Sequence, residues 1–330
     1  MVYINFYLIH FLLSLVSKDN KLKKIIFLSS LFTFSIVFGL RFNIGADFLG
    51  YVSYYNSEIF QWHIGLGYFL SSAVFKFFNF EYYIFNIAIT SFSLFLIYCS
   101  IKNQNNYALC FFVFLCLYFL GGTLGQIRQT IAMSFILLSF TQNYNFKLKI
   151  LLITLASLFH YGGLLGFLLL FVTDFHLKNW KKSLVFIFLL MLMIKGISLN
   201  FLTDYLVYMD SDKYGGQNNV SIVAIAERLF VLFFCIYNLI KQNYMSKFSF
   251  FYIVGFFIFF IYFDIEIISQ RLSRFYKFFD IIIIPSMFYI FKFPLKNVFI
   301  ILSLILLLIK PVYLIKAKPN QYLPMRYITL

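Results

Sequence analysis

Apolar runs separated by short polar gaps recur along the whole chain, and that rhythm limits what it can fold into. Ile25–Leu40, Tyr82–Ile101, Tyr107–Leu120, Ser183–Leu199, Ile222–Ile240, Phe248–Phe263, Tyr276–Phe291 and Val298–Ile309 are each long and nearly uncharged. In a bilayer a spanning segment must satisfy its own backbone, and runs of this length do so as helices. Hydrophobic residues make up 62% of the chain and charged ones 12%, which excludes a soluble globular domain. The reading is an all-α polytopic integral membrane protein, residues 1–330 forming a single membrane domain. At roughly 20 residues per crossing there is room for about ten transmembrane helices plus re-entrant or interfacial segments. A GT-C-like architecture is compatible with that count.

The net charge of +15 is first a matter of topology. Cytoplasmic loops of membrane proteins collect Lys and Arg, so no nucleic acid partner is implied. The four cysteines, Cys99, Cys110, Cys116 and Cys235, lie in apolar runs without a CxxC pair and read as small buried hydrophobes. Val2–Val16 lacks a basic n-region and an A-x-A site, and reads as an uncleaved first span.

Lysines orient the first half. Lys18, Lys21, Lys23, Lys24, Lys102, Lys147 and Lys149 fall on one side, the cytoplasmic one, while Arg41 and Arg128 fall on the other. Outer loops are expected near 41–63, 200–221 and 264–275, and at the glycine-rich stretch Gly121–Gly125. Ile64–Phe80 is apolar but holds Gly65, Gly67 and Lys76, so it reads as interfacial or re-entrant. Ile150–Val172 is one crossing or a hairpin, and the break at Phe159-His160-Tyr161-Gly162-Gly163 favours the hairpin. Charge does not orient the second half. With the hairpin, all six arginines fall on or near the outer face while the inner loops use lysine. Arginine's planar fork suits phosphate and carboxylate, whereas lysine suffices for topology.

Polar chemistry is concentrated in a few places. Arg41 ends an apolar run and is followed by Gly45 and Asp47. Arg128 opens a helix between Gln126 and Gln129, where free backbone N–H groups favour an anion; the bland alternative is snorkelling to headgroups. Glu227-Arg228 sits inside an apolar span, at a cost of about 2.5–3.5 kcal/mol per charge at a helix centre. It marks a pathway or site, or the two charges offset each other. Arg271 and Arg274 share a helix face and form either a phosphate clamp or part of a solvated loop with Asp264 and Glu266. His160, at the Gly-Gly break, lines a cavity or is a packed histidine; His10, His63 and His176 make no metal-ligand spacing with it. Tyr51, Tyr54 and Tyr55 stack on sugar rings or form an interfacial belt. Asp210-Ser211-Asp212 is a weak metal-binding pattern. No Walker A, GxGxxG or nucleophile elbow is present, so the chain offers no site for coupling to ATP.

Taken in order, these pieces resemble a known family. A short span and a lysine loop lead to Gly39-Leu40-Arg41-Phe42-Asn43-Ile44-Gly45-Ala46-Asp47. Ile127-Arg128-Gln129, Ser157-Leu158-Phe159-His160-Tyr161, Glu227-Arg228, Arg271 to Tyr276 and a tail Tyr322-Leu323-Pro324-Met325-Arg326-Tyr327 follow. The pattern is similar to the EpsG-like branch of the Wzy polymerases, which build O-antigen, capsule or exopolysaccharide. Ala46 departs from it, standing where a hydroxyl residue is expected.

The resemblance implies an inner-membrane glycosyltransferase of lipopolysaccharide or polysaccharide biosynthesis whose site faces the periplasm. It implies transfer of a growing glycan from undecaprenyl pyrophosphate to the non-reducing end of the next lipid-linked repeat, with no cofactor and no metal. Membrane lipids, the undecaprenyl-pyrophosphate-linked oligosaccharide, a chain-length regulator and a flippase are the implied partners. Expected pyrophosphate contacts are Arg41, Arg128, Arg228, Arg271 and Arg274. Asp47, His160 and Glu227 are candidates for the base or for orienting the acceptor, and Tyr51 and Gln129 for holding sugar. Two rival readings are a flippase for the same lipid-linked repeat and a membrane acyltransferase acting on glycans.

Overall fold

The computed structural model describes residues 20–45, 47–57, 59–61, 64–172, 179–198, 222–242, 246–263, 266–287, 295–317 and 326–327. The expected first span Val2–Val16, the loop Asn200–Ser221 with Asp210-Ser211-Asp212, and His10, His63, His176 and Asp264 lie outside these residues. Among the described residues the regular structure is helical apart from one two-residue strand pairing. Three described helices, over Tyr82–Ile101, Tyr107–Leu124 and Ile222–Lys241, are long and apolar enough to cross a membrane. Others are apolar but shorter, among them Leu66–Phe77, Ile127–Thr141 and Lys247–Ile261.

The chain divides into two compact units, Met1–Phe167 with Ile284–Leu330, and Leu168–Ile283. In the first, α1 (Asn20–Gly39) packs on α2 (Tyr82–Ile101) through Phe27 and Tyr98, whose rings lie 5.5 Å apart. The Asn86 amide donates to the Gly39 carbonyl at 2.6 Å, which joins the end of α1 to the start of α2. At the opposite end of α2, Asn103 donates to Gln142 at 2.6 Å and Gln142 to the Cys99 carbonyl at 2.9 Å. Buried polar groups so paired fix the register of apolar helices that could otherwise slide.

Between α1 and α2 the expected outer loop is largely ordered into secondary structure. Arg41–Phe42 pairs antiparallel with Arg326–Tyr327, so the tail returns to the Arg41 stretch. Two short helices follow, α3 (Phe48–Asn56) and α4 (Leu66–Phe77). The 12 residues of α4 rise only about 18 Å, too little for a hydrocarbon core of roughly 30 Å.

Gly121–Gly125 is not the loop that its glycines predict. α5 (Tyr107–Phe114) continues as a π-helix over Leu115–Leu124 and takes most of the stretch with it. All its residues but Gly121 are buried, and Lys310 of the helix Leu295–Ala317 sits 5.4 Å from the Tyr118 ring centre. π-Helical turns are rare, and those that occur are frequently at functional sites.

α6 (Ile127–Thr141) and α7 (Phe146–Phe159) form a helical hairpin around Gln142–Asn145. The Asn145 side chain caps α7 by accepting from the Leu148 N–H at 2.9 Å. With 15 and 14 residues, the two arms end level, and Phe159 returns to the height of Ile127. The chain then reverses again. A Cβ on Gly163 would lie 2.6 Å from the Ala156 carbonyl carbon, and one on Gly166 would lie 3.1 Å from Ile153 Cγ2. In a continuous helix, residues 153 and 166 would stand about 20 Å apart. The hairpin reading of Ile150–Val172 therefore matches the folded chain, with the turn at Tyr161–Leu164.

In the second unit, Trp180–Ser198 packs on Lys247–Ile261, with Phe188 and Phe257 ring centres 5.1 Å apart. Glu266–Lys277 is a helix within the outer loop expected near 264–275, and it puts Arg271 and Arg274 at the helical spacing that lets them share a face. Its Ser269, Ser273 and Tyr276, spaced at helical intervals, are buried.

Candidate functional site

The first unit gathers three segments at one end. Gly45 has φ of +110°, and a Cβ there would lie 1.9 Å from the Leu124 carbonyl oxygen. Only glycine permits both the left-handed backbone and that approach. The turn before Asp47 is thus pressed onto the residues just ahead of Arg128. Gly65, with φ of +83°, is the second such contact: its Cβ would lie 2.7 Å from the Phe159 carbonyl oxygen. Beside it, the Ile64 carbonyl accepts from Arg128 Nη1. The carbonyl that Arg128 holds therefore belongs to the residue directly before the glycine that rests against Phe159, the neighbour of His160.

Arg128 is part-buried, with its guanidinium carbon 5.5 Å from the centre of the Tyr51 ring and 5.9 Å from that of Tyr54. The two rings, inclined at 70° to each other, hold the cation in place, each contact contributing ~0.5–2 kcal/mol. Tyr51 is buried, and burial pushes its hydroxyl up from its ordinary range, while the Arg128 guanidinium pulls the other way. Asp47, at the start of α3, adds its negative charge to the same Tyr51 environment. At neutral pH the Tyr51 hydroxyl keeps its proton, so it can both donate and accept. Gln129 is buried at 3% exposure, so its side chain belongs to the interior of the hairpin.

Arg41 stands apart from the expected set. It is fully buried, and its guanidinium donates to the carbonyls of Ile44 at 3.1 Å, Phe38 at 2.8 Å and Leu124 at 3.4 Å, and to Thr90 Oγ1 at 3.4 Å. That spends it on holding the Arg41–Asp47 turn to Leu124. The arginine expected to contact pyrophosphate is thus placed inside the fold, with its guanidinium among backbone carbonyls.

His160 ends α7 and begins the turn. Its Nδ1 accepts from the Gly162 N–H at 3.1 Å, and its ring stacks on Tyr161 with centres 4.8 Å apart. Level arms place it at the Arg128 end of the α6–α7 hairpin.

The second unit holds a separate charged cluster. Lys277 Nζ lies 2.5 Å from Glu227 Oε1 and 3.1 Å from Asp280 Oδ2, all three side chains being buried. The Arg228 guanidinium, also buried, sits 4.0 Å from the Phe259 ring centre, and the Tyr252 hydroxyl donates to the Arg228 carbonyl at 3.2 Å. Two cations face two anions, so the cluster is neutral as a whole, which is how charge is tolerated in an apolar span. Glu227 therefore enters the structure as an ion-paired carboxylate and Arg228 as a packed cation. Arg271 and Arg274 are part-buried on the helix that carries Lys277. Sequence reasoning missed Lys277 and Asp280. The signal was there: opposite charges three apart inside an apolar stretch, fifty residues after an acid that needed a cation.

Among the described residues, no group of three His, Cys, Asp or Glu side chains could hold a metal ion. No curated protein and no solved structure is significantly similar to the chain. The model of the EpsG family, however, matches residues 24–327, from the first described helix to the strand that pairs with Arg41–Phe42, and the chain belongs to that family.

Proposed function

We propose that this membrane protein is a glycan polymerase acting on lipid-linked repeat units at the periplasmic face of the inner membrane. The observation that carries the reading is Arg128, its guanidinium within 5.5 Å of the Tyr51 ring centre and 5.9 Å of that of Tyr54, at the start of a helix. A guanidinium fixed in this way beside backbone N–H groups suits a pyrophosphate. In the reaction, an acceptor hydroxyl oxygen attacks the anomeric carbon of the growing glycan. The bond from that carbon to the pyrophosphate oxygen breaks, and undecaprenyl pyrophosphate leaves with the electron pair. Arg128 stabilises the charge that develops on the leaving group. Asp47, close enough to influence Tyr51, takes the hydroxyl proton or orients the acceptor. Arg271 and Arg274, three apart on one helix, carry the phosphate-binding expectation within the second unit taken by itself. About ten crossings make up the proposed membrane domain.

A deletion strain tests the function directly. Carrier or core bearing a single repeat unit is the expected phenotype. Repeats trapped on the cytoplasmic side would mean a flippase, and full-length polymer lacking a modification would mean an acyltransferase. Turnover of defined lipid-linked repeats by purified protein is expected to proceed with and without chelator.

A further inference from the structure

The turn that follows α7 constrains what His160 can do. A backbone amide only donates, so the Nδ1 that accepts from the Gly162 N–H carries no hydrogen. A neutral imidazole has one N–H, which must then sit on Nε2. To act as a base through Nε2, the ring would need its hydrogen on Nδ1, where it would point at another donor. The backbone reinforces the arrangement: the His160 N–H donates to Ala156 at 3.0 Å, and the His160 carbonyl accepts from Gly163 at 2.7 Å. Stacking on Tyr161 fixes the ring plane.

We propose that His160 is a hydrogen-bond donor through Nε2–H to an oxygen of the lipid-linked substrate, and that it is not the general base. The substrate named here rests on the polymerase reading, whereas the tautomer does not. The donor stands at the Arg128 end of the α6–α7 hairpin, linked to it through Ile64, Gly65 and Phe159. The pyrophosphate addressed by Arg128 is therefore the oxygen-rich group within its neighbourhood. The proton released by the acceptor hydroxyl goes to a carboxylate, and Asp47, whose charge reaches Tyr51 beside Arg128, is the candidate.

Two measurements test the proposal. Nitrogen NMR of histidine-labelled wild-type protein in nanodiscs, with the His160 signals identified by their loss in His160→Leu, is expected to show a protonated Nε2 and an unprotonated Nδ1. The opposite tautomer overturns the proposal whatever the protein's activity. In turnover of a lipid-linked repeat, His160→Gln keeps an amide donor near the Nε2 position but cannot serve as a base. It is expected to retain most activity, while His160→Leu loses about 100-fold or more. Equal loss in both variants, at equal amounts of folded protein, overturns the donor role. If the wild type turns over no lipid-linked repeat, the polymerase reading fails and the substrate named here fails with it, whichever tautomer the NMR shows.

Discussion

Arg128→Ala is expected to abolish long glycan while the protein remains folded in the membrane. The guanidinium is held by two aromatic rings and one carbonyl, so its removal leaves a gap at a part-buried helix start and does not unpick a core. The loss then falls on the reaction. Removing one donor aimed at developing charge costs about 100- to 1,000-fold in rate. Arg128→Lys is expected to recover only part of this, because an ammonium has neither the fork nor the planar group that Tyr51 and Tyr54 hold. Arg41→Ala provides the contrast. It strips donors from three backbone carbonyls and one hydroxyl in the interior, so it is expected to lower the amount of folded protein. Glycan length on gels and membrane levels by immunoblot separate the two outcomes. Normal chain length in Arg128→Ala overturns the pyrophosphate assignment.

These two arginines show what a sequence can and cannot disclose. Arg128 was legible because its signal is local: a polar helix entry, Gln126 to Gln129, after a glycine-rich stretch, and α6 does begin at Ile127. The reversal after Phe159 was legible for the same reason, since paired glycines weaken a helix and here the chain turns at Gly162 and Gly163. Arg41 has an equally polar local signature, yet its fate is decided 83 residues away, at the Leu124 carbonyl. The π-helix over Leu115–Leu124 escaped notice because i→i+5 bonding has no composition of its own, so buried glycines there looked like those of a loop. Likewise, Glu227 was visible as a charge in a span, but the lysine that neutralises it lies in a different helix.

Lys277→Met is expected to be among the most damaging single changes in the second unit. It removes the ammonium that two buried carboxylates share, Glu227 at 2.5 Å and Asp280 at 3.1 Å. Breaking a buried ion pair from one side typically costs about 3–5 kcal/mol, which is a large part of a protein's net stability. Loss of folded protein on thermal challenge in detergent measures it. Neutralising all three, as Lys277→Met with Glu227→Gln and Asp280→Asn, takes away the two anions that Lys277→Met strands and is expected to restore part of that stability, with Arg228 left as the remaining buried cation. The triple variant then decides what the cluster is for. A stable, active triple variant makes Glu227 a strut between helices and leaves Asp47 as the proton acceptor. A stable but inactive one returns Glu227 to the reaction, with Lys277 and Asp280 as the groups that hold its carboxylate charged and in place. A triple variant as unstable as Lys277→Met alone would mean that the three side chains are held by shape and hydrogen bonding and not by charge balance.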